Sequence, residues 1–181
     1  MYGLVNKAIE GLVTENFGVE KWEAIKAKAK VDEDVFISSE AYPDEMTYSL
    51  VGAASEELGL PAEKVLHAFG EYWVLKTAKE GYGDLMGAAG KNFVDFLTNL
   101  PNFHTRVMLL YPNLVPPRFE VTDQSETSLH LHYHSDRPGL SAFVVGLIHG
   151  LAKNFGETVE VDQVQKKEEG ADHDVFLIHL N

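Results

Sequence analysis

Leu131-His-Tyr-His-Ser-Asp-Arg137 decides how the second half of this chain folds. Buried-type and polar residues alternate along it until Pro138-Gly139 stops the pattern, and alternation at a period of two is that of a half-buried strand. Ser128 to His134 is therefore a predicted strand. Arg118 to Val121 alternates in the same way and forms a hairpin with it across the turn Asp123-Gln-Ser-Glu126. After Pro138-Gly139, apolar residues at Leu140, Phe143, Val144, Leu147, Ile148 and Leu151 follow helical spacing. Alternation resumes over Thr158 to Lys166 and Asp174 to Leu180, separated by the polar run Lys167 to His173. Val175, Leu177 and His179 take one face of the last strand, and Phe176, Ile178 and Leu180 the other. The carboxyl half reads as a small antiparallel sheet with one helix inserted.

Upstream of Pro112, Pro116 and Pro117 the texture is helical. Leu4, Val5, Ala8, Ile9, Leu12 and Val13 make an amphipathic helix of Tyr2 to Phe17, and Val19 to Ala29 is a second. Pro43 with acidic Asp44 and Glu45 starts a third, which Gly59 ends. Pro61 opens an aromatic-rich helix through Phe69, Tyr72 and Trp73, with Gly81 as its stop. Another runs from Gly83 to Leu100, carrying Phe93, Phe96, Leu97 and Leu100 at offsets of about zero, three, four and seven. Proline disfavours helix in the residue before it, so a break is expected near Leu100 and a fresh start at Asn99 to Pro101. His104 then lies in the first turns of a new helix, sharing a face with Val107, Met108 and Tyr111 and pointing inward. The expected class is α+β: a helical amino-terminal half packed on a mixed carboxyl half, with residues 1–181 as one domain.

Composition narrows the function classes. Hydrophobic residues make up 45% and charged residues 24%, a balance that sets aside disordered and fibrous chains. The net charge of -13 repels phosphate backbones and anionic lipid at long range, so neither nucleic acid nor membrane is an expected partner. An acidic face suits a basic patch on a protein. Cysteine is absent, which removes disulfides, thiolate catalysis and thioether-linked haem. Lys7 and Glu10 interrupt the apolar amino terminus, and Leu140 to Ile148 is far short of a membrane span, so a cytoplasmic location is expected. P-loop, G-x-S-x-G and H-E-x-x-H signatures are missing. The pairs Glu56-Glu57 and Glu168-Glu169 are sequence neighbours that point apart and do not suit acid/base catalysis.

Three constellations remain. Tyr133 and Ser135 project from one strand face with Arg137 close behind, and a planar guanidinium with two hydroxyls matches a ligand bearing paired carboxylates, such as haem propionates. The ordinary alternative is a half-buried core tyrosine followed by two residues that merely end the strand. His104 among apolar neighbours is either a hydrogen-bonded core histidine or a neutral imidazole able to ligate haem iron. His130, His132 and His134 occupy the face opposite Tyr133. They are either ligands for zinc, copper or nickel that lack a further partner, or a solvated face that gains charge below pH ~6.5.

Taken in order, the motifs Met1-Tyr-Gly-Leu-Val-Asn6, Phe69-Gly70, Gly81-Tyr82, Phe96-Leu97-Thr-Asn99-Leu100 with His104, Pro116-Pro117 and Tyr133-His-Ser-Asp-Arg137 span almost the whole chain. Through them it resembles the haem-nitric oxide/oxygen-binding (H-NOX) domains, including the haem domain of soluble guanylate cyclase. The resemblance implies a non-covalent haem b with His104 as proximal iron ligand and Tyr133, Ser135 and Arg137 on the propionates. It implies that Pro117 presses on the porphyrin and that Val5 and Leu147 line its pocket. Oxygen-binding members resemble one another in a distal tyrosine on the helix after Arg137. Here that helix has no tyrosine, and Phe143 stands near the expected place.

An apolar pocket gives little help to polar bound oxygen, so the expectation is nitric oxide and carbon monoxide as ligands, with oxygen excluded. The indole N–H of Trp73 is a competing distal donor. The resemblance further implies a gas sensor rather than an enzyme, signalling through the His104 helix to a separate protein such as a histidine kinase or a cyclase. The alternatives are a haem enzyme with redox or oxygen chemistry, and a metal-binding module built on the strand histidines.

Overall fold

The computed structural model describes residues 1–111 and 113–181. Pro112, part of the expected proline-marked boundary, lies outside the described residues. Helices α1 (Gly3–Phe17), α2 (Val19–Ala29) and α3 (Asp44–Leu58) form as the apolar periodicity requires. Gly59 closes α3 in the left-handed conformation, φ 63°, that a residue without a Cβ adopts at least cost. Helix α4 (Ala62–Tyr72) follows, then a π-helical segment, Trp73–Ala78, then α5 (Lys79–Ala89) and α6 (Phe93–Met108). Strands β1 (Arg118–Thr122) and β2 (Ser128–His134), helix α7 (Ser141–Asn154), and strands β3 (Val159–Gln165) and β4 (Asp174–Leu180) complete the chain.

All strand pairs are antiparallel, in the order β1-β2-β4-β3. The register sets Phe119 opposite Tyr133 and Leu131 opposite Phe176. The alternation holds in detail along β2, where Leu129, Leu131 and Tyr133 are buried and the histidines between them are not. The α+β architecture matches the sequence expectation.

Three helix boundaries differ from it. Gly81 does not stop a helix; the chain continues through it to Ala89, with a kink at Tyr82 (φ -139°, ψ 20°). Burial of Tyr82, Met86 and Ala89 holds the second limb in place, while Gly81 stays exposed and needs no unusual conformation. Nor does a single helix run from Gly83 to Leu100. The true break is at Gly90–Asn92, where the Asn92 side chain caps α6 by accepting a hydrogen bond from the Asp95 N–H at 2.8 Å.

Pro101 likewise does not interrupt α6. Proline inside a helix costs about 3 kcal/mol through a lost hydrogen bond and a clash one turn back. Phe93, Phe96 and Leu97 before it and Val107 after it are all buried. Each such side chain contributes roughly 1.5–3 kcal/mol, so continuing the stripe outweighs the local penalty. Pro101 sits on the exposed side, where a helix can bend.

The apolar side chains segregate into two cores. One gathers Ile9, Trp22, Ile25, Phe36 and Leu50 from α1 to α3 and the connection after α2, with Phe69 of α4. The other gathers Phe93, Leu129, Phe176, Ile178, Val144 and Ile148 from α6, the sheet and α7. Among the described residues no helix is long and apolar enough to cross a membrane.

Candidate functional site

Between the two cores lies an apolar cavity of about 310 Å³. That volume falls within the roughly 300–1,000 Å³ typical of small-molecule pockets. His104 reaches it from α6, where the uninterrupted helix carries the imidazole on the same side as Val107. Its ring lies 6.0 Å from that of Phe103 and 5.9 Å from that of Phe119. Burial among these groups lowers its pKa to about 4, against the opposing effect of a hydrogen bond to the Pro117 backbone. Pro117 has no N–H, so its carbonyl is the acceptor and the imidazole the donor. The ring is therefore neutral at pH 7 with its second nitrogen free as a ligand, the arrangement metal-binding histidines use.

Tyr133, Ser135 and Arg137 line the same cavity. Tyr133 is buried at the end of β2, and burial raises its pKa while Ser135 and the Arg137 charge work against the rise. Ser135 Oγ accepts from the Arg137 N–H at 3.1 Å, a turn just past the strand end. The Arg137 guanidinium donates from Nε to Asp44 Oδ2 at 2.7 Å and from Nη1 to the Val115 carbonyl at 3.2 Å. Burial opposes ionisation of Asp44, but hydrogen bonds from the terminal amine and from Arg137 prevail and hold its carboxyl below the usual range. Arg137 has five N–H donors, so these two bonds leave capacity for another anion. Asp44 was legible only as an acidic residue starting α3; its tie to Arg137 spans 93 positions and has no local signal.

The remaining wall is greasy. Val5, Trp73, Phe143 and Leu147 all line the cavity, as does Phe69, whose ring lies 4.8 Å from that of Phe143 and 6.2 Å, edge-on, from that of Trp73. Trp73 opens the π-helical segment, an irregularity common at functional sites. Sequence reasoning did not assign Tyr82 and Tyr111 to the pocket. Both line it, and the Tyr82 hydroxyl donates to that of Tyr111 at 2.7 Å. The Gly81-Tyr82 motif marked the first without giving it a place.

Taken together, a neutral imidazole, apolar walls and a cationic, hydroxyl-bearing rim fit a planar apolar macrocycle that carries iron and carboxylates. The strand histidines do not converge in this way. His132 Nδ1 meets His173 Nε2 at 2.8 Å, and its Nε2 meets the Thr122 hydroxyl at 2.8 Å. His134 Nε2 faces Arg118 Nη2 at 2.8 Å while its ring stacks on His173 at 4.0 Å. His130 stands apart beside Asp123 at 3.2 Å. The group of possible metal ligands found among the described residues is instead His67, Glu71 and His149.

A model of the haem-NO-binding family matches residues 2–163. Among curated relatives, soluble guanylate cyclase gcy-33 of Caenorhabditis elegans is 31% identical over 171 residues, which cover 94% of this chain and 18% of that protein. Guanylate cyclase soluble subunit beta-2 of Rattus norvegicus is 34% identical over 126 residues, 64% of this chain and 18% of that protein. The chain thus spans a small part of either cyclase. In fold it is similar to an H-NOX protein from S. oneidensis in the Fe(II)NO ligation state, with a TM-score of 0.90 at 22% identity over 100% of this chain and 99% of that one. The family match runs from the helix bearing Val5 through the His104 helix, the Tyr133 strand and α7, and with it the chain belongs to the haem-NO-binding family.

Proposed function

We propose that residues 1–181 form one sensor domain that binds haem b non-covalently and detects nitric oxide and carbon monoxide while excluding oxygen. The observation that carries this reading is that His104 and the Tyr133, Ser135 and Arg137 cluster line one apolar cavity. When bound, the group supplies a ferrous iron at which diatomic gases are held. His104, kept neutral by burial, would offer that iron a ring nitrogen. Tyr133, Ser135 and Arg137 would hold the carboxylates by hydrogen bonds, and Pro117, which lines the same cavity, would pack against the macrocycle.

Phe143, Val5 and Leu147 give a bound gas no hydrogen bond, which disfavours polar bound oxygen more than the other two ligands. Trp73 is the side chain to watch, because it lines the same cavity and carries an indole N–H able to donate. His104 bound to iron would tether α6, which is otherwise anchored by its buried apolar stripe and by the Phe93 N–H to Glu157 hydrogen bond. A two-state tether of this kind is what a signalling element needs. The output passes to a separate protein, a histidine kinase or a cyclase, that meets the acidic surface. The domain itself is not an enzyme.

Absorption spectra test this directly. Reduced protein in air should form no stable oxy complex, whereas nitric oxide and carbon monoxide should each shift the Soret band; a lasting oxy spectrum would overturn the gas selectivity. His104→Ala should lose the Soret band and regain it with added imidazole, and an unchanged spectrum would remove His104 from the iron. Trp73→Phe should leave the air spectrum unaltered. Peroxide turnover by the wild type would favour redox chemistry over sensing.

A further inference from the structure

Helices α4 and α7 cross with their backbones in contact. A Cβ on Gly70 would lie 2.2 Å from the Phe143 carbonyl oxygen, and one on Gly146 would lie 2.1 Å from that of His67. One side of this crossing walls the cavity through Phe69, Phe143 and Leu147. His67 and Glu71 are one turn apart on α4 and each two positions from Phe69, which carries them roughly 200° round the helix and away from the cavity. His149 stands in the same relation to Leu147 on α7.

There the three side chains converge. His67 Nε2 and His149 Nδ1 are 2.8 Å apart, and each of the three residues offers a ligand atom within 4.8 Å of the others. All three are half-buried, so the donors are shielded from bulk water yet open to an ion. Lys153 Nζ holds Glu71 Oε2 at 2.7 Å, which orients the carboxylate and leaves its other oxygen available. Two imidazole nitrogens pointing at each other must share one proton, whereas a cation between them uses both lone pairs. Nitrogens roughly 2.0–2.1 Å from a tetrahedral zinc stand about 3.3 Å apart, so the pair needs to open by only about half an ångström.

We propose that His67, Glu71 and His149 bind a divalent ion of the zinc class, with water in the fourth position, and so staple α4 to α7 on the outer side of the glycine crossing. Two imidazoles and one carboxylate select zinc over calcium or magnesium, which prefer oxygen alone. Rigid helices locked by backbone contact supply the preorganisation that such a site requires. The ion would stiffen the two helices that carry Phe69, Phe143 and Leu147. This site is independent of the haem reading, because none of its ligands lines the cavity.

Calorimetric titration of zinc into untagged, chelator-treated holoprotein provides the test. Wild type should take up one zinc at this site and unfold at a higher temperature with zinc than without. His67→Ala, His149→Ala and Glu71→Gln should each weaken binding by at least about tenfold, as loss of even a supporting group does at metal sites. His149→Gln keeps the size of the side chain if the alanine variant fails to fold, and the Soret band reports whether each variant keeps its pocket. His173→Ala should bind as wild type does, separating this site from the histidines of the sheet. Absence of zinc uptake by wild type, or undiminished uptake by the His149 variants, would overturn the proposal and leave His67 and His149 as a hydrogen-bonded pair.

Discussion

The two cores of this protein are built in different ways. In the amino-terminal one, Ile9, Trp22, Ile25 and Leu50 come from α1, α2 and α3, helices that pack on their neighbours in sequence. In the carboxyl-terminal one, contacts are non-local: Leu129 of β2 pairs with Ile178 of β4, and α6 and α7 pack over the sheet. The larger cavity lies at the boundary between them, and a smaller hollow of about 170 Å³ lies against Ile9, Val13, Val51 and Phe69 of the amino-terminal core. Trp73 packs against both cores, and its π-helical turn is part of the cavity wall. His104 and the Tyr133, Ser135 and Arg137 cluster thus face the space where the two cores meet.

The largest expected effects come from weakening one core at a time. Phe176→Ala should cost about 3–5 kcal/mol and Leu50→Ala about 2–5 kcal/mol, since both side chains are fully buried and leave cavities. Urea denaturation followed by circular dichroism distinguishes two outcomes. If the chain is one cooperative domain, both variants move a single transition; two separated transitions would show that the cores unfold independently.

A smaller effect is expected at the crossing itself. Gly146→Ala forces a methyl group against the His67 carbonyl and should destabilise by about 1–3 kcal/mol, the range for overpacking. Gly52→Ala on the exposed side of α3 meets nothing within 4 Å and should instead stabilise by about 0.5–1 kcal/mol. Equal responses of the two glycines in thermal melts would mean that the α4–α7 contact does not hold the cores together.

Arg137→Ala removes a tie across the same boundary. The pair with Asp44 is about a third exposed on each side, which limits its worth to about 1 kcal/mol of stability. Its effect on the ligand should be the clearer one, read as faster haem transfer to an excess of apomyoglobin. Smallest of all is a pH effect at Asp44. Its carboxyl titrates below 3.8 in the folded protein, so its stabilising contribution is complete above that pH and is lost as pH falls through the folded value. Asp44→Asn should lower stability near neutrality, where that contribution is complete, and flatten the acid limb of the curve, so that variant and wild type converge at low pH.

These comparisons also separate what was legible from what was not. Helices α1 to α3 and all strands follow periodicity, because burying one face is a local demand that repeats every few residues. Gly81 and Pro101 do not end their helices, for the opposite reason. Breaker rules describe an isolated segment, and here apolar stripes on both sides outweigh the local cost. His104, Tyr133, Ser135 and Arg137 stood out as residue types whose chemistry is unusual for their position, and the fold brings all four to one cavity. The Tyr82–Tyr111 pair and the Asp44–Arg137 tie carried no such signal, since each joins separate parts of the chain.

By itself the sequence determined the α+β class, the strand face of Tyr133, the apolar setting of His104, and membership in the haem-NO-binding family. Each is a property of spacing or of ordered motifs, which survive without coordinates. Only the tertiary structure decided that α6 runs unbroken past Pro101, that the cavity falls between two cores, and that His67 meets His149 from 82 positions away. Those outcomes depend on how much apolar surface distant elements bury against one another, and no window of sequence contains both partners.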